Sequence, residues 1–367
     1  MKLRYKISGG LALLAIVGMS VLAIAMSHNT ACPEPTALTG NVESMKAIVY
    51  RCYGSPEVLE LQNVAKPAPA DNELLVKVKA AAVNPLDWHY MRGTPYIMRL
   101  MGVGLGSPSD TRLGVDFAGT IEAVGENVER FKPGDEVFGG KTGAFAQYLA
   151  VSEDRVALKP GNVSFEQAAS VPIAAITALQ GLRDKGRLQR GQKVLINGAS
   201  GGVGTFAVQI AKSYGAEVTA VCSERNAEMV RSIGADHVIN YKQENYTENG
   251  QRYDLIVDMI GNHSLSDNRR ILSSEGIFVI IGGAKGNWLG PLMAPLKAMV
   301  YSPFVGQEFV MMIARMRGDD LVTLADMMES GEVVPVIDRH YSLDEVPEAI
   351  RYSEEGHARG KIIIRVE

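Results

Sequence analysis

The sequence predicts an α/β fold in which βαβ units follow a smaller β-rich domain, and three observations support this. A β-branched run, Lys193-Val-Leu-Ile-Asn197, enters a glycine turn, Gly198-Ala-Ser-Gly201-Gly202-Val-Gly204, which opens an amphipathic helical pattern, Thr205-Phe-Ala-Val-Gln-Ile-Ala-Lys212. Further apolar runs at 217–222, 236–240, 253–258 and 276–281 recur at intervals that suit βαβ units. Before them, short strand-like runs at 46–51, 59–62, 73–82, 117–124, 136–138 and 145–151 are punctuated by Pro, Gly, Asn and Asp, as in a small β domain.

The chain has 367 residues, enough for about two domains. It is 46% hydrophobic and 21% charged, an ordinary globular balance. The net charge is -4 and no basic stripe is visible, which argues against nucleic acid as a partner. The three cysteines, Cys32, Cys52 and Cys222, have no metal spacing and suggest no disulfide framework, so they fit a reducing compartment.

In chain order, a basic start, Met1-Lys-Leu-Arg-Tyr-Lys6, precedes an uncharged, mostly apolar stretch at 9–26. About eighteen helical residues span roughly 27 Å, close to a bilayer core. A membrane anchor over 1–26 is the favoured expectation. The alternatives are a signal peptide cleaved near Ala23-Ile-Ala25, a buried helix, or a cytoplasmic protein whose translation starts at Met45. Polar residues 27–44, with Pro33 and Pro35, read as a linker. After the β-rich runs, Ser164 and Gln167 form a capping-box pattern for a helix. The βαβ segment runs over about 172–310. A helix at 321–330, a strand at 333–341, a helix at 343–354 and a strand at 361–366 then make a tail too short for a domain of its own, which is expected to return to the first domain.

The strand-turn-helix at 193–212 has a chemical use. Glycines let backbone approach a pyrophosphate, and a helix N-terminus offers unpaired N–H groups and partial positive charge. The spacing is GxxGxxG, and an ordinary strand-turn-helix remains the plain alternative.

Val115-Asp-Phe-Ala-Gly119, Val124-Gly-Glu-Asn-Val128, Phe131-Lys-Pro-Gly-Asp-Glu-Val137, Ala199-Ser-Gly-Gly-Val-Gly204 and Ile233-Gly-Ala-Asp236 occur in the order found in one family. In them the chain resembles the medium-chain dehydrogenase/reductase superfamily over 45–367, in its quinone oxidoreductase and alkenal/enone reductase branch. The resemblance implies a GroES-like β-barrel catalytic domain (45–171 and 311–367), a doubly wound Rossmann NADP-binding domain (172–310), a cleft between them and a homodimer. It also bears on metal. Zinc-binding relatives carry a cysteine where this chain has Asn84, and His-Glu where it has Val115-Asp116, and the four-cysteine lobe is missing. No metal is expected.

The resemblance names site residues. Asn84 and Asp87 match a pocket motif: Asn84 would hold the nicotinamide ribose or a substrate carbonyl, and Asp87 would orient neighbours or simply cap a helix. Tyr90 is a candidate proton donor or a packing residue. His89 beside Asp87 is either a pocket group or a loop histidine. Pro172 and Thr177 match positions near the nicotinamide, although Thr177 could equally bond its own backbone. Ala199, Ser200, Gly201, Gly202, Val203 and Gly204 would carry the diphosphate. Ser223, Arg225 and Asn226 after the second strand, with Tyr241, would take the adenosine phosphate; they favour NADPH over NADH, with Glu224 as the counter-argument. Ile260, Gly261, Ile281, Gly282 and Lys361 match further cofactor positions, and each glycine there has a plain turn reading. The expected chemistry is hydride transfer to a quinone or an α,β-unsaturated carbonyl without zinc, on a small hydrophobic substrate. The alternative is an NADPH-binding redox sensor, or a membrane-tethered partner-binding protein with little catalysis. Segments 95–112 and 282–306, rich in Met, Leu and Gly, are candidate pocket covers, the second also a candidate dimer surface.

Overall fold

A computed structural model describes residues 17–34, 38, 42–283, 286–288, 290, 293, 296–298 and 305–366. Strands β1 (Ser44–Val49) and β2 (Glu60–Ala65) form an antiparallel pair. Seven strands form a second sheet: β3 (Glu73–Val83), β4 (Asp116–Val124), β5 (Glu136–Gly140), β6 (Tyr148–Ser152), β7 (Val156–Leu158), β14 (Ile337–Ser342) and β15 (Lys361–Arg365). Its order is β14-β15-β3-β4-β5-β7, with β6 pairing β3, so the two C-terminal strands join the sheet of the β-rich part through β15 and β3.

The third sheet is parallel throughout. Strands β8 (Lys193–Asn197), β9 (Glu217–Cys222), β10 (His237–Asn240), β11 (Tyr253–Asp258), β12 (Leu272–Ile280) and β13 (Glu308–Met311) run in the order β10-β9-β8-β11-β12-β13. The order reverses between β8 and β11, the switch point where doubly wound folds bind ligands. Central strands β8 and β11 and the end of β12 carry unbroken apolar runs (194–196, 255–257 and 277–280), as strands covered on both faces do. Leu195, Ile256 and Phe278 pack on one face, and Val194, Ile196, Val257 and Val279 on the other.

Three helices position the site. They are α1 (Pro85–Arg92), α2 (Pro172–Gln180) and α3 (Gly202–Ser213). Proline occupies the first turn of α1 and α2, where the missing N–H costs nothing. The amphipathic α3 buries Phe206, Val208 and Ile210 against the parallel sheet.

The N-terminal expectations need correction. Residues 17–27 are helical, about 16 Å of helix against a bilayer core of about 30 Å. No helix among the described residues is long and apolar enough to cross a membrane. The hydrophobic anchor over 1–26, the membrane contact through 9–26 and the membrane-anchored localisation are therefore not supported; residues 1–16 lie outside the described residues. The chain beyond this helix docks on the β-rich part. Arg99 donates to His28 O and Asn29 Oδ1, both at 2.8 Å, and the Thr30 N–H donates to Gly106 O. Cys32 and Cys52 are joined by a disulfide, with Cα atoms 4.9 Å apart. The absence of a disulfide framework, and the reducing compartment argued from it, are corrected accordingly. Arg99 and Gly106 hold residues 28–30, just before Cys32, against the body beside Cys52. Cys222 is free and buried.

Candidate active site

Three strand ends converge on one polar corner. Asp116 opens β4 and faces Ala82 on β3, Asn84 follows the end of β3, and Lys361 opens β15, where Ile362 faces Val83. Lys361 Nζ donates to Asn84 Oδ1 (2.6 Å) and Asp116 Oδ2 (3.3 Å), and Asn84 Nδ2 donates to Asp116 Oδ2 (3.0 Å). The Ile173 N–H, in the first turn of α2, donates to Asp116 Oδ1 (3.0 Å). Asn84, Asp116 and Lys361 are 2%, 0% and 3% exposed, so nearly all of this network is out of water. Burial pushes the Asp116 carboxyl above its ordinary range, against the pull of Lys361, Asn84 and the Ile173 N–H.

Asp87 takes the capping role: its Oδ2 accepts from the Asn84 N–H at 2.7 Å, while Oδ1 is buried without a partner. Burial pushes its carboxyl up to about 7. The folded protein therefore holds a proton there that the unfolded chain releases near pH 4, so stability present below that pH is lost as pH rises toward 7. At full expression the loss is about 4 kcal/mol. Asp87→Asn keeps an acceptor for the Asn84 N–H, so its Tm is expected to overtake the parent's between pH 5 and 8. A Tm difference that does not change with pH would mean an ordinary Asp87.

Two neighbours of Asp87 do other work. His89 does not pair with it: Nδ1 lies 2.6 Å from Thr94 O, the ring stacks on Trp88, and burial lowers its pKa. Tyr90 packs partly buried against the β-domain core, with its hydroxyl pKa raised by burial and by Asp87.

The glycine turn adjoins this corner. The Gly360 N–H donates to Ser200 O at 3.0 Å, Gly201 bridges to Gly360, and a Cβ on Gly202 would lie 3.2 Å from Lys361 Cδ. The N–H groups of Gly202, Val203 and Gly204 open α3 ahead of its first intrahelical bond. Asn226 Nδ2 donates to Ser200 Oγ, and Asn226 Oδ1 is buried without a partner. A helix mouth with free donors beside an orphaned acceptor fits a dinucleotide diphosphate and an adenosine ribose hydroxyl.

At the switch point, Asn197 and Asp258 sit opposite each other at the ends of β8 and β11. Asp258 Oδ1 accepts from Asn197 Nδ2 and from the N–H groups of Ile260 and Gly261. The Ile281 and Gly282 N–H groups both donate to Asp258 O. Ala199 donates from its N–H to Val221 O, and Thr177 Oγ1 bonds its own helix at Ile173 O. Ser223 precedes the short 3-10 turn Glu224–Asn226 without a side-chain capping bond, Arg225 donates to His357 O, and Tyr241 and Ile260 are exposed. Glu224 accepts from Asn240 Nδ2.

Asn84, Asp87, Lys361 and Ser200–Gly204 are therefore brought together, with Pro172 next to the Ile173 that binds Asp116 and Thr177 bonded within its own helix, whereas Arg225 and Tyr241 follow the ends of β9 and β10. Asp116 is the residue that sequence reasoning passed over: it was weighed only as a departure from a zinc ligand. Most of the 282–306 segment lies outside the described residues. Segment 95–112 packs on both sides: the Tyr96 N–H donates to Asn287 O, and Tyr53 OH donates to Gly104 O.

A catalytic zinc needs three protein ligands with lone pairs. Among the described residues no group of three or more His, Cys, Asp or Glu side chains could hold a metal. The corner offers an amide, one carboxylate and an ammonium, and an ammonium has no lone pair to give. The residues present do not fit zinc.

Residues 70–161 match the family model for the alcohol dehydrogenase GroES-like domain, and 233–364 that for the zinc-binding dehydrogenase. The chain is 35% identical over 358 residues to 2-methylene-furan-3-one reductase of Solanum lycopersicum, across 94% of this chain and 84% of that protein. It is 35% identical over 350 residues to the chloroplastic NADPH-dependent alkenal/one oxidoreductase of Arabidopsis thaliana, across 91% and 83%. The solved quinone oxidoreductase from Coxiella burnetii has a TM-score of 0.77 and 29% identity, covering 89% of this chain and 100% of that one.

Proposed function

We infer what the site does from one premise: the chain belongs to the medium-chain dehydrogenase/reductase superfamily, in its zinc-independent branch of quinone oxidoreductases and alkenal reductases. It is an NADPH-dependent oxidoreductase that transfers hydride to a quinone or an α,β-unsaturated carbonyl. The hydride and its electron pair are what the bound cofactor supplies. A conjugated acceptor spreads the resulting negative charge over its own atoms, so the reaction proceeds without a Lewis-acidic metal.

The residues divide the remaining work. Ala199, Ser200 and Gly201 line the diphosphate, and the N–H groups of Gly202, Val203 and Gly204 bind it. Ser223, Arg225, Asn226 and Tyr241 receive the adenosine end and its 2′-phosphate; Arg225, now on His357 O, turns from a neutral carbonyl to an anion. Pro172, Thr177, Ile260, Gly261, Ile281 and Gly282 bound the nicotinamide side. Asn84 and Lys361 line the cleft, with Asp87 holding Asn84 and Tyr90 packing behind it. The proposed division into a catalytic domain (45–171 and 311–367) and a cofactor domain (172–310) puts the cleft where Gly360 meets Ser200. A homodimer is supported by Met311 and Ile313, 44% and 67% exposed beside β13, the last strand of the parallel sheet among the described residues.

The observation that carries this reading is the open α3 mouth at the strand-order reversal, tied by Gly360 to a buried polar corner. Purified protein in chelator-treated buffer is expected to consume NADPH with quinones or enals, and to prefer NADPH to NADH. Absorbance at the reduced-nicotinamide band measures it; no consumption across a broad panel of both acceptor classes would end the reading.

A further inference from the structure

We propose that Lys361 is the fixed cation of the cleft, and that Asp116 is the positioning residue that keeps it there. The inference rests on the hydride-transfer reading above. The Lys361 ammonium lies between Asn84 and Asp116, 2.6 Å from Asn84 Oδ1 and 3.3 Å from Asp116 Oδ2. Its stem runs beside Gly202, so the charge is held next to the mouth of α3.

An ammonium carries three N–H donors. Two are taken by Asn84 Oδ1 and Asp116 Oδ2, and no described residue accepts the third. Asp116 is itself anchored at its other oxygen by the Ile173 N–H, and Asn84 by its bonds to Asp116 and to Ala82 O. The head of a flexible side chain is thereby held on elements from three separate parts of the chain. A preorganised donor in a site shielded from water is the arrangement that stabilises charge as it develops.

The third N–H is assigned to the carbonyl oxygen of the acceptor. When hydride adds to an enone β-carbon, the C=C pair shifts to form the new C=C of an enolate, and the carbonyl π pair moves onto oxygen. Lys361 donates a hydrogen bond to that oxygen and keeps its proton. The α-carbon takes a proton from water, which completes the saturated ketone or aldehyde. With a quinone the hydride adds to a ring carbon and the electron pair moves onto the carbonyl oxygen in the same way. The two oxygens then take protons from water while the new ring C–H gives its proton up to water, so the quinol gains one hydride and one net proton.

Removing either partner alone leaves a buried charge unpaired and threatens folding. The test therefore uses Asp116→Asn/Lys361→Met, which removes both charges and keeps the lysine stem, beside the parent and Lys361→Arg. Tm, NADPH Kd by fluorescence titration, and kcat and KM with an enal are measured on each. The double variant is expected to fold and to bind NADPH within about threefold of the parent. Its kcat is expected to fall about 100-fold, the usual size of a lost oxyanion donor. Lys361→Arg is expected to recover part of that kcat. A folded double variant with kcat within threefold of the parent overturns the proposal. So does a rise in NADPH Kd as large as the fall in kcat, which would place the third N–H on the cofactor. A double variant that does not fold overturns it as well, by making the pair a structural one. A parent that binds NADPH but reduces nothing in the panel overturns the hydride-transfer reading and this proposal together, and so is distinguishable from failure of the proposal alone.

Discussion

Gly201→Ala is expected to weaken NADPH binding by about 100-fold, roughly 2.7 kcal/mol, with Tm nearly unchanged. Gly201 is extended, with φ -84° and ψ -179°, a conformation alanine adopts freely. A Cβ built there would meet only Gly198 O, at 3.6 Å, an ordinary contact. The methyl would occupy open space before the α3 mouth, where the diphosphate needs close approach to backbone. Gly204, three residues on, has a different reason to be glycine. Its Cβ would lie 2.2 Å from Gly198 O and 2.7 Å from the Ala199 backbone. Neither partner is the end of a flexible side chain, so the turn itself must move, at about 3 kcal/mol. Gly204→Ala is expected to lower Tm by about 6 °C, and to lose cofactor because the turn is deformed. Thermal melts with NADPH titration separate the two. A Gly201→Ala protein that binds NADPH as tightly as the parent would remove the diphosphate from this turn.

The glycine turn was legible because its signal is local: a strand, a turn and a helix lie within twenty consecutive residues. The parallel sheet was legible for a related reason, since strands covered on both faces leave unbroken apolar runs. The polar corner is different. Asn84, Asp116 and Lys361 are brought together by the pairing of β3 with β4 and β15, and no periodicity records which strands pair. Asn84 and Lys361 were reached only through resemblance, and Asp116 was seen only as a missing ligand. His89 and Asp87 invited a pairing because they are close in sequence. Residues two apart on a helix point to different faces, and His89 found Thr94 O instead. The N-terminus misled through composition: an apolar stretch reads as a span until the polar residues after it are seen to dock.

Arg99→Ala is expected to release that docked segment. Arg99 is 2% exposed and has no carboxylate among its hydrogen-bond partners in the described residues. It donates to Gly93 O, His28 O and Asn29 Oδ1, each at 2.8 Å, and its guanidinium lies 4.1 Å from the Tyr53 ring centroid and 4.9 Å from that of Tyr96. Truncation strands these acceptors and opens a cavity under two tyrosines, at a cost of about 3 kcal/mol or more. The Cys32–Cys52 disulfide acts at the same place, and a closed loop of this size contributes about 3 kcal/mol. Each tie holds the segment against the other's loss. Reduction alone should therefore leave the His28–Thr30 stretch docked by Arg99, and Arg99→Ala alone should leave it tethered at Cys32. Arg99→Ala with reduction should free it, so that limited proteolysis cuts between 28 and 34 many times faster than in either single case. NADPH affinity should stay at the parent value throughout, because none of these contacts reaches the α3 mouth. Equal cleavage rates in all four states would mean that neither Arg99 nor the disulfide holds the segment down, and that the β-rich part is stable without it.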